Sequence, residues 1–209
     1  MASTYFQEMG SPEDPESVRH TLAGADHSCR REYPAAIAEL EQALAIDSTN
    51  ISALIWLASA YGQYTSTLPD AQEAIRRAEA LSDRATRFER LMTRSQRGWL
   101  FRDWEMAYRA NLEGMALYPG RFAYMAGWSA MRTNRPAAAL EHLESFDTTA
   151  ACWRNWEPYW EVKGLSLHLL GRHEEELAVA RSIQQRLLPG RVPDFPGFDL
   201  AAINLASAQ

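Results

Sequence analysis

Apolar residues recur three and four positions apart along most of the chain, in stretches of roughly a dozen residues separated by short Gly- and Pro-containing breaks. The stretch EYPAAIAELEQALAID, residues 32–47, shows the rule. Ile37, Leu40 and Leu44, with the small Ala36 and Ala43, fall on one stripe of a helix. Alternating β-branched residues, which would mark half-buried strands, are almost absent. The pattern predicts an all-α protein.

The stripes themselves repeat. His20, Ala23, Gly24 and His27 match Leu54, Leu57, Ala58 and Tyr61 at an offset of 34 residues. A second helix follows in each unit, marked by Ala36, Leu40 and Ala43, then Ala71, Ile75 and Ala78, then Ala107, Asn111 and Gly114. A fourth unit carries Ala126, Gly127, Ala130, Ala139 and Leu143, and a fifth carries Trp160, Gly164, Leu167 and Ala180. The units fall at about 17–50, 51–84, 85–119, 120–150 and 153–190. An extension, residues 1–16, precedes them; a Pro/Gly connector and a terminal helix, residues 191–209, follow. Gly24, Ala58, Gly127 and Gly164 are expected to let the paired helices approach closely. The third unit departs most: Arg94 stands where the register expects Leu. Phe88, Leu91, Met92, Ser95 and Trp99 make a better stripe there, which predicts a longer first helix.

A helix–turn–helix unit of 34 residues with these small and large positions resembles the tetratricopeptide repeat, over about residues 17–190. The resemblance implies a right-handed α-solenoid of about five repeats plus a C-terminal helix, its first helices lining a concave groove. The family pattern points Ile55, Gln63, Met92, Gln96, Trp99, Tyr124, Trp128, Met131, Arg132, Glu161 and His168 into that groove. These are aromatic and amphipathic residues, the kind found at binding hot spots. The family's clamp for chaperone C-termini uses Lys and Asn where this chain has Thr21, Ala25, Ile55 and Ser59, so that clamp is absent. The stretch from Leu81 to Gly120 is also loosely similar to repeat arrays that bacterial signalling proteins carry behind kinase or cyclase domains.

Composition narrows the partners. Of 209 residues, 46% are hydrophobic, enough for one continuous core. A net charge of −6 argues against nucleic acid or an anionic membrane surface as partner. No apolar run is long enough to span a bilayer, and the first residues do not read as a secretory signal. Cys29 and Cys152 have no paired spacing, so unreactive thiols and a reducing, cytoplasmic setting are expected. The terminal helix is apolar, which suggests that the array continues, that a partner covers it, or that it drives self-association.

Catalytic chemistry is not evident. HEEEL, residues 173–177, lacks the second histidine of a zinc-protease helix, and GWSAM, residues 127–131, lacks the last glycine of a nucleophile elbow. His142, His168 and His173 fall on different helices or faces without a spaced carboxylate, so no metal and no cofactor is expected. Arg87, Arg90, Arg94 and Arg97 form a basic stripe opposite Phe88 and Leu91. It reads first as a solvated face, with contact to an anion or acidic peptide as the alternative. In CWRNWEPYW, residues 152–160, Trp160 takes the family's large aromatic place between helices, while Trp153 and Trp156 cover the junction of two units. The sequence thus predicts a non-catalytic module that binds a peptide or protein segment. The alternative is a small-molecule sensor with an aromatic pocket between the third and fifth repeats.

Overall fold

The computed structural model describes residues 10, 14–64, 67–118, 120, 122–148 and 157–187. Most of the N-terminal extension, Cys152, Trp153, Trp156 and the whole segment 191–209 lie outside the described residues. The described chain forms ten helices: α1 (Pro15–Cys29), α2 (Tyr33–Ile46), α3 (Ile51–Gln63), α4 (Leu68–Ala80), α5 (Arg87–Leu100), α6 (Trp104–Leu117), α7 (Ala123–Arg132), α8 (Pro136–Glu144), α9 (Glu157–Leu169) and α10 (His173–Leu187). Each helix packs on the next, and α1 also meets α3, α3 meets α5, and α7 meets α9. That is the stacking of a helical-repeat solenoid, with odd-numbered helices sharing one side. No described helix is long and apolar enough to cross a membrane.

Local sequence explains where helices start and turn. Proline stands in the first two positions of α1, α2, α4 and α8, where a missing N–H costs nothing. The turns inside four helix pairs pass through a left-handed residue: Arg31, Arg102, Asn134 and Gly171, with φ between 59° and 70°. In three of them a 6→1 bond closes the helix, as where the Arg172 N–H donates to the Leu167 carbonyl at 3.0 Å. Only Gly171 adopts this conformation without a Cβ penalty.

The core is alanine-rich. Ala36, Ala43, Ala53, Ala58, Ala71, Ala126, Ala130 and Ala139 are fully buried, which brings the helix backbones together around Leu40, Leu54, Ile75 and Phe88. At Gly24 a Cβ would come within 2.5 Å of Leu40, and at Gly127 within 3.0 Å of Leu143, so the close approach expected there is real. Gly164 is a correction: a Cβ there would meet nothing within 4 Å. The residue 16 positions on, which is leucine for Gly24 and Gly127, is here the exposed Ala180. The third unit's first helix, α5, has 14 residues and is no longer than α1, because a Thr86–Glu89 capping box starts it and Phe101 caps its end.

Two polar nodes join the repeats. Asn50 caps α3 by accepting from the Ala53 N–H at 3.0 Å, and its amide donates to Ser17 Oγ and Thr21 Oγ1 of α1 at 2.9 and 3.0 Å. Glu89 is 2% exposed; its carboxylate accepts from Ser52 Oγ of α3 at 2.8 Å and from the Thr86 N–H at 2.9 Å.

Candidate functional site

The odd-numbered helices line a cavity of about 400 Å³ that reaches from Ser28 and Cys29 at the end of α1 to Pro158 and Glu161 on α9. Of the residues expected in the groove, Ile55, Gln63, Met92, Gln96, Trp99, Tyr124, Trp128 and Glu161 border it. Met131 instead packs, partly buried, into the core of the last two repeats. Arg132 lies over Trp128 and Trp104, at 4.9 and 5.6 Å from the ring centroids, and His168 is exposed at the far end of α9. The cavity is longer than the sequence suggested for a small-molecule pocket, because α1 and α3 line it as well as the third to fifth repeats.

Its walls are aromatic and fixed. Trp128 meets Trp99 edge-on at 6.4 Å and Trp104 at 5.0 Å between centroids. Tyr124 packs against Phe146 at 5.9 Å; burial first, and the nearby Glu161 charge second, push its phenol well above the ordinary range, so it stays a neutral donor.

The floor carries the chemistry. Ser95, Gln96 and Asn111 border the cavity, and their Oγ, Oε1 and Oδ1 atoms are buried without a hydrogen-bond partner. Asn111 is anchored by its other end: its amide donates to the Met125 carbonyl at 2.9 Å and to Ser129 Oγ at 3.1 Å. Two amide oxygens and a hydroxyl are therefore held in place with lone pairs unspent, although such groups are nearly always satisfied. Asn111 was not among the residues the sequence pointed to, because it sits on a second helix. Its signal was nonetheless present: it occupies the place of Leu40 and Leu143, a polar residue at a core register position.

The basic stripe lies away from this cavity, and three of its four arginines are paired with two carboxylates. Arg87 and Arg94 reach Glu113 of α6 at 3.1 and 3.5 Å, and Arg97 reaches Glu79 of α4 at 3.3 Å. Arg90 donates to the Ala85 carbonyl.

Three expectations need correction. Cys29 is disulfide-bonded rather than a lone thiol; sequence spacing says nothing about approach in space once a superhelix curves. His168 and His173 do have a carboxylate, because the Gly171 turn folds α10 back so that Glu176 lies 3.1 and 3.2 Å from their Nδ1 atoms. Trp160 is half-buried, and the buried ring of that turn is its neighbour Tyr159, stacked on Phe146 at 5.5 Å. His142 stands apart on α8, 3.3 Å from the Tyr108 hydroxyl.

No family profile matches the sequence, and no curated protein matches it. Solved structures do. A PilF structure from Pseudomonas aeruginosa aligns with a TM-score of 0.53 at 22% identity, covering 81% of this chain and 76% of that one. The Cut9–Hcn1 heterotetramer of the APC/C aligns with a TM-score of 0.60 at 14% identity, covering 88% of this chain and 35% of that one. MamA aligns with a TM-score of 0.47 at 16% identity, covering 85% and 98%. The PilF and Cut9 alignments, with the ten paired helices, define the fold as an all-α repeat solenoid of the tetratricopeptide type.

Proposed function

We propose that this chain is a non-catalytic interaction module that grips a peptide segment of a protein partner in its concave groove. The buried, unpaired acceptors of Gln96 and Asn111, two residues that border the cavity together with Trp99 and Trp128, support this reading most directly. Main-chain N–H groups of an extended segment are the donors such acceptors lack, and an apolar side chain fills the space between the rings. Arg31 near one end and Glu161 near the other add opposite charges that fix direction. The disulfide of Cys29 fits an oxidising compartment better than the cytoplasm expected from cysteine spacing.

A second reading is favoured by size. About 400 Å³ lies within the roughly 300–1,000 Å³ range of small-molecule pockets. On this reading, an uncharged ligand with N–H donors satisfies the same floor.

Selection of random peptides on the full chain tests the proposal. Peptides that share an apolar anchor should be enriched, and they should bind at least tenfold more weakly to Trp128→Ala and Gln96→Leu. Peptides that bind both variants as well as the parent would overturn the groove. Failure of every peptide, together with a small compound that raises the melting temperature of the parent but not of Gln96→Leu, would transfer the site to the second reading.

A further inference from the structure

We propose that His168, His173 and Glu176 form a binding site for a zinc-class divalent ion. The three are the group of metal-ligating side chains among the described residues whose donor atoms lie within 4.8 Å of one another. His168 Nδ1 and His173 Nδ1 each lie close to one and the same oxygen, Glu176 Oε2, at 3.1 and 3.2 Å. An ion about 2.0–2.1 Å from nitrogen and oxygen ligands in a tetrahedron sets those ligands about 3.3 Å apart. The two histidine–carboxylate edges match that spacing, so the ion enters with small side-chain rotations.

The backbone holds the cluster together. His168 sits in the last turn of α9, His173 opens α10, and Glu176 lies one turn further on. Gly171, at φ +70°, reverses the chain between them, and the Gly171 N–H donates to the His168 carbonyl at 3.0 Å. The two rings stand 5.4 Å apart at 65°.

The helix dipole opposes a cation at the start of α10. Glu174, Glu175 and Glu176 in that same turn offset it with formal negative charge. Arg172 is drawn off to Glu175 at 2.6 and 2.7 Å and does not compete for Glu176. Two imidazoles and one carboxylate select zinc, nickel or copper over magnesium or calcium, which prefer all-oxygen shells. With three protein ligands, the fourth position is left for water or a group from outside. The ion would tie the end of α9 to the start of α10, stiffening the fifth helix pair.

Titration of zinc chloride into the full chain without an affinity tag, followed by calorimetry, tests the site. One equivalent should bind with micromolar affinity. His168→Ala, His173→Ala and Glu176→Gln should each weaken it by tenfold or more. A His20→Ala/His27→Ala double variant should leave it unchanged, although His20 and His27 also face carboxylates, Glu39 and Glu32, at 2.7 and 2.6 Å. Added zinc should also slow hydrogen exchange across 168–180 in the parent and not in His173→Ala. No binding by the parent, or equal affinity in a His168→Ala/His173→Ala variant with an unchanged circular dichroism spectrum, would overturn the assignment.

Discussion

Two buried serines on neighbouring odd helices should respond to alanine with opposite signs. Ser95 on α5 is 1% exposed and its hydroxyl has no partner; Ser129 on α7 is fully buried and its hydroxyl is fully used. Ser129 Oγ donates toward the Met125 carbonyl at 2.7 Å and accepts from the Asn111 amide at 3.1 Å. Removing an unsatisfied buried hydroxyl recovers about 1–3 kcal/mol of desolvation, and alanine adds about 0.5 kcal/mol of helix propensity. Loss of packing around one missing oxygen takes part of this back, leaving Ser95→Ala more stable by about 1–2 kcal/mol. Ser129→Ala forfeits a hydrogen bond worth about 1 kcal/mol and leaves Asn111 with one acceptor fewer, against the same propensity gain. The net is a loss of about 1 kcal/mol. At about 2–4 °C per kcal/mol for a chain of this length, the two variants should melt several degrees apart, on either side of the parent. Thermal unfolding followed by circular dichroism, with urea midpoints as a check, measures both. A Ser95→Ala variant that melts at or below the parent would show that its hydroxyl is satisfied in solution, and the cavity floor would lose its claim to be waiting for a ligand.

Four further outcomes follow from single sites. Glu89→Ala should cost about 2–4 kcal/mol in urea denaturation, since it removes the α5 cap and strands the buried Ser52 hydroxyl, whereas Asp103→Ala, which loses one exposed cap bond, should cost about 1 kcal/mol; equal losses would refute the bridging role of Glu89. Arg102→Gly should raise the urea midpoint, because a left-handed residue with a Cβ costs about 1–2 kcal/mol and glycine's extra unfolded freedom returns only about 0.5–1 kcal/mol; a lower midpoint would contradict it. Burial holds the His142 imidazole below its ordinary value of 6.5, so the unfolded chain binds its proton first as pH falls. The stability tied to neutral His142 is present above 6.5 and lost below it, and His142→Gln should reduce the fall in melting temperature between pH 7.5 and 5.5; an unchanged fall would sink the assignment. Tyr159→Ala should cost about 3 kcal/mol or more and Trp160→Ala clearly less, as their burial dictates; the reverse order in denaturation would restore Trp160 to the core.

The sequence by itself determined the helices and their pairing. Those features rest on short-range rules: a 3.6-residue period, small residues where backbones meet, and proline tolerated at helix starts. They can be read from windows of a few turns, which is why Ile55, Met92, Trp99 and Trp128 could be assigned to one surface. The tertiary structure alone decided which long-range contacts form. Whether Gly164 meets a neighbour depends on Ala180 across the pair, and whether His168 finds a carboxylate depends on the turn at Gly171. The orphaned oxygens of Gln96 and Asn111 are orphaned only because helices from separate repeats enclose them. The small rotation added by each repeat sets these meetings, and no local period records its sum.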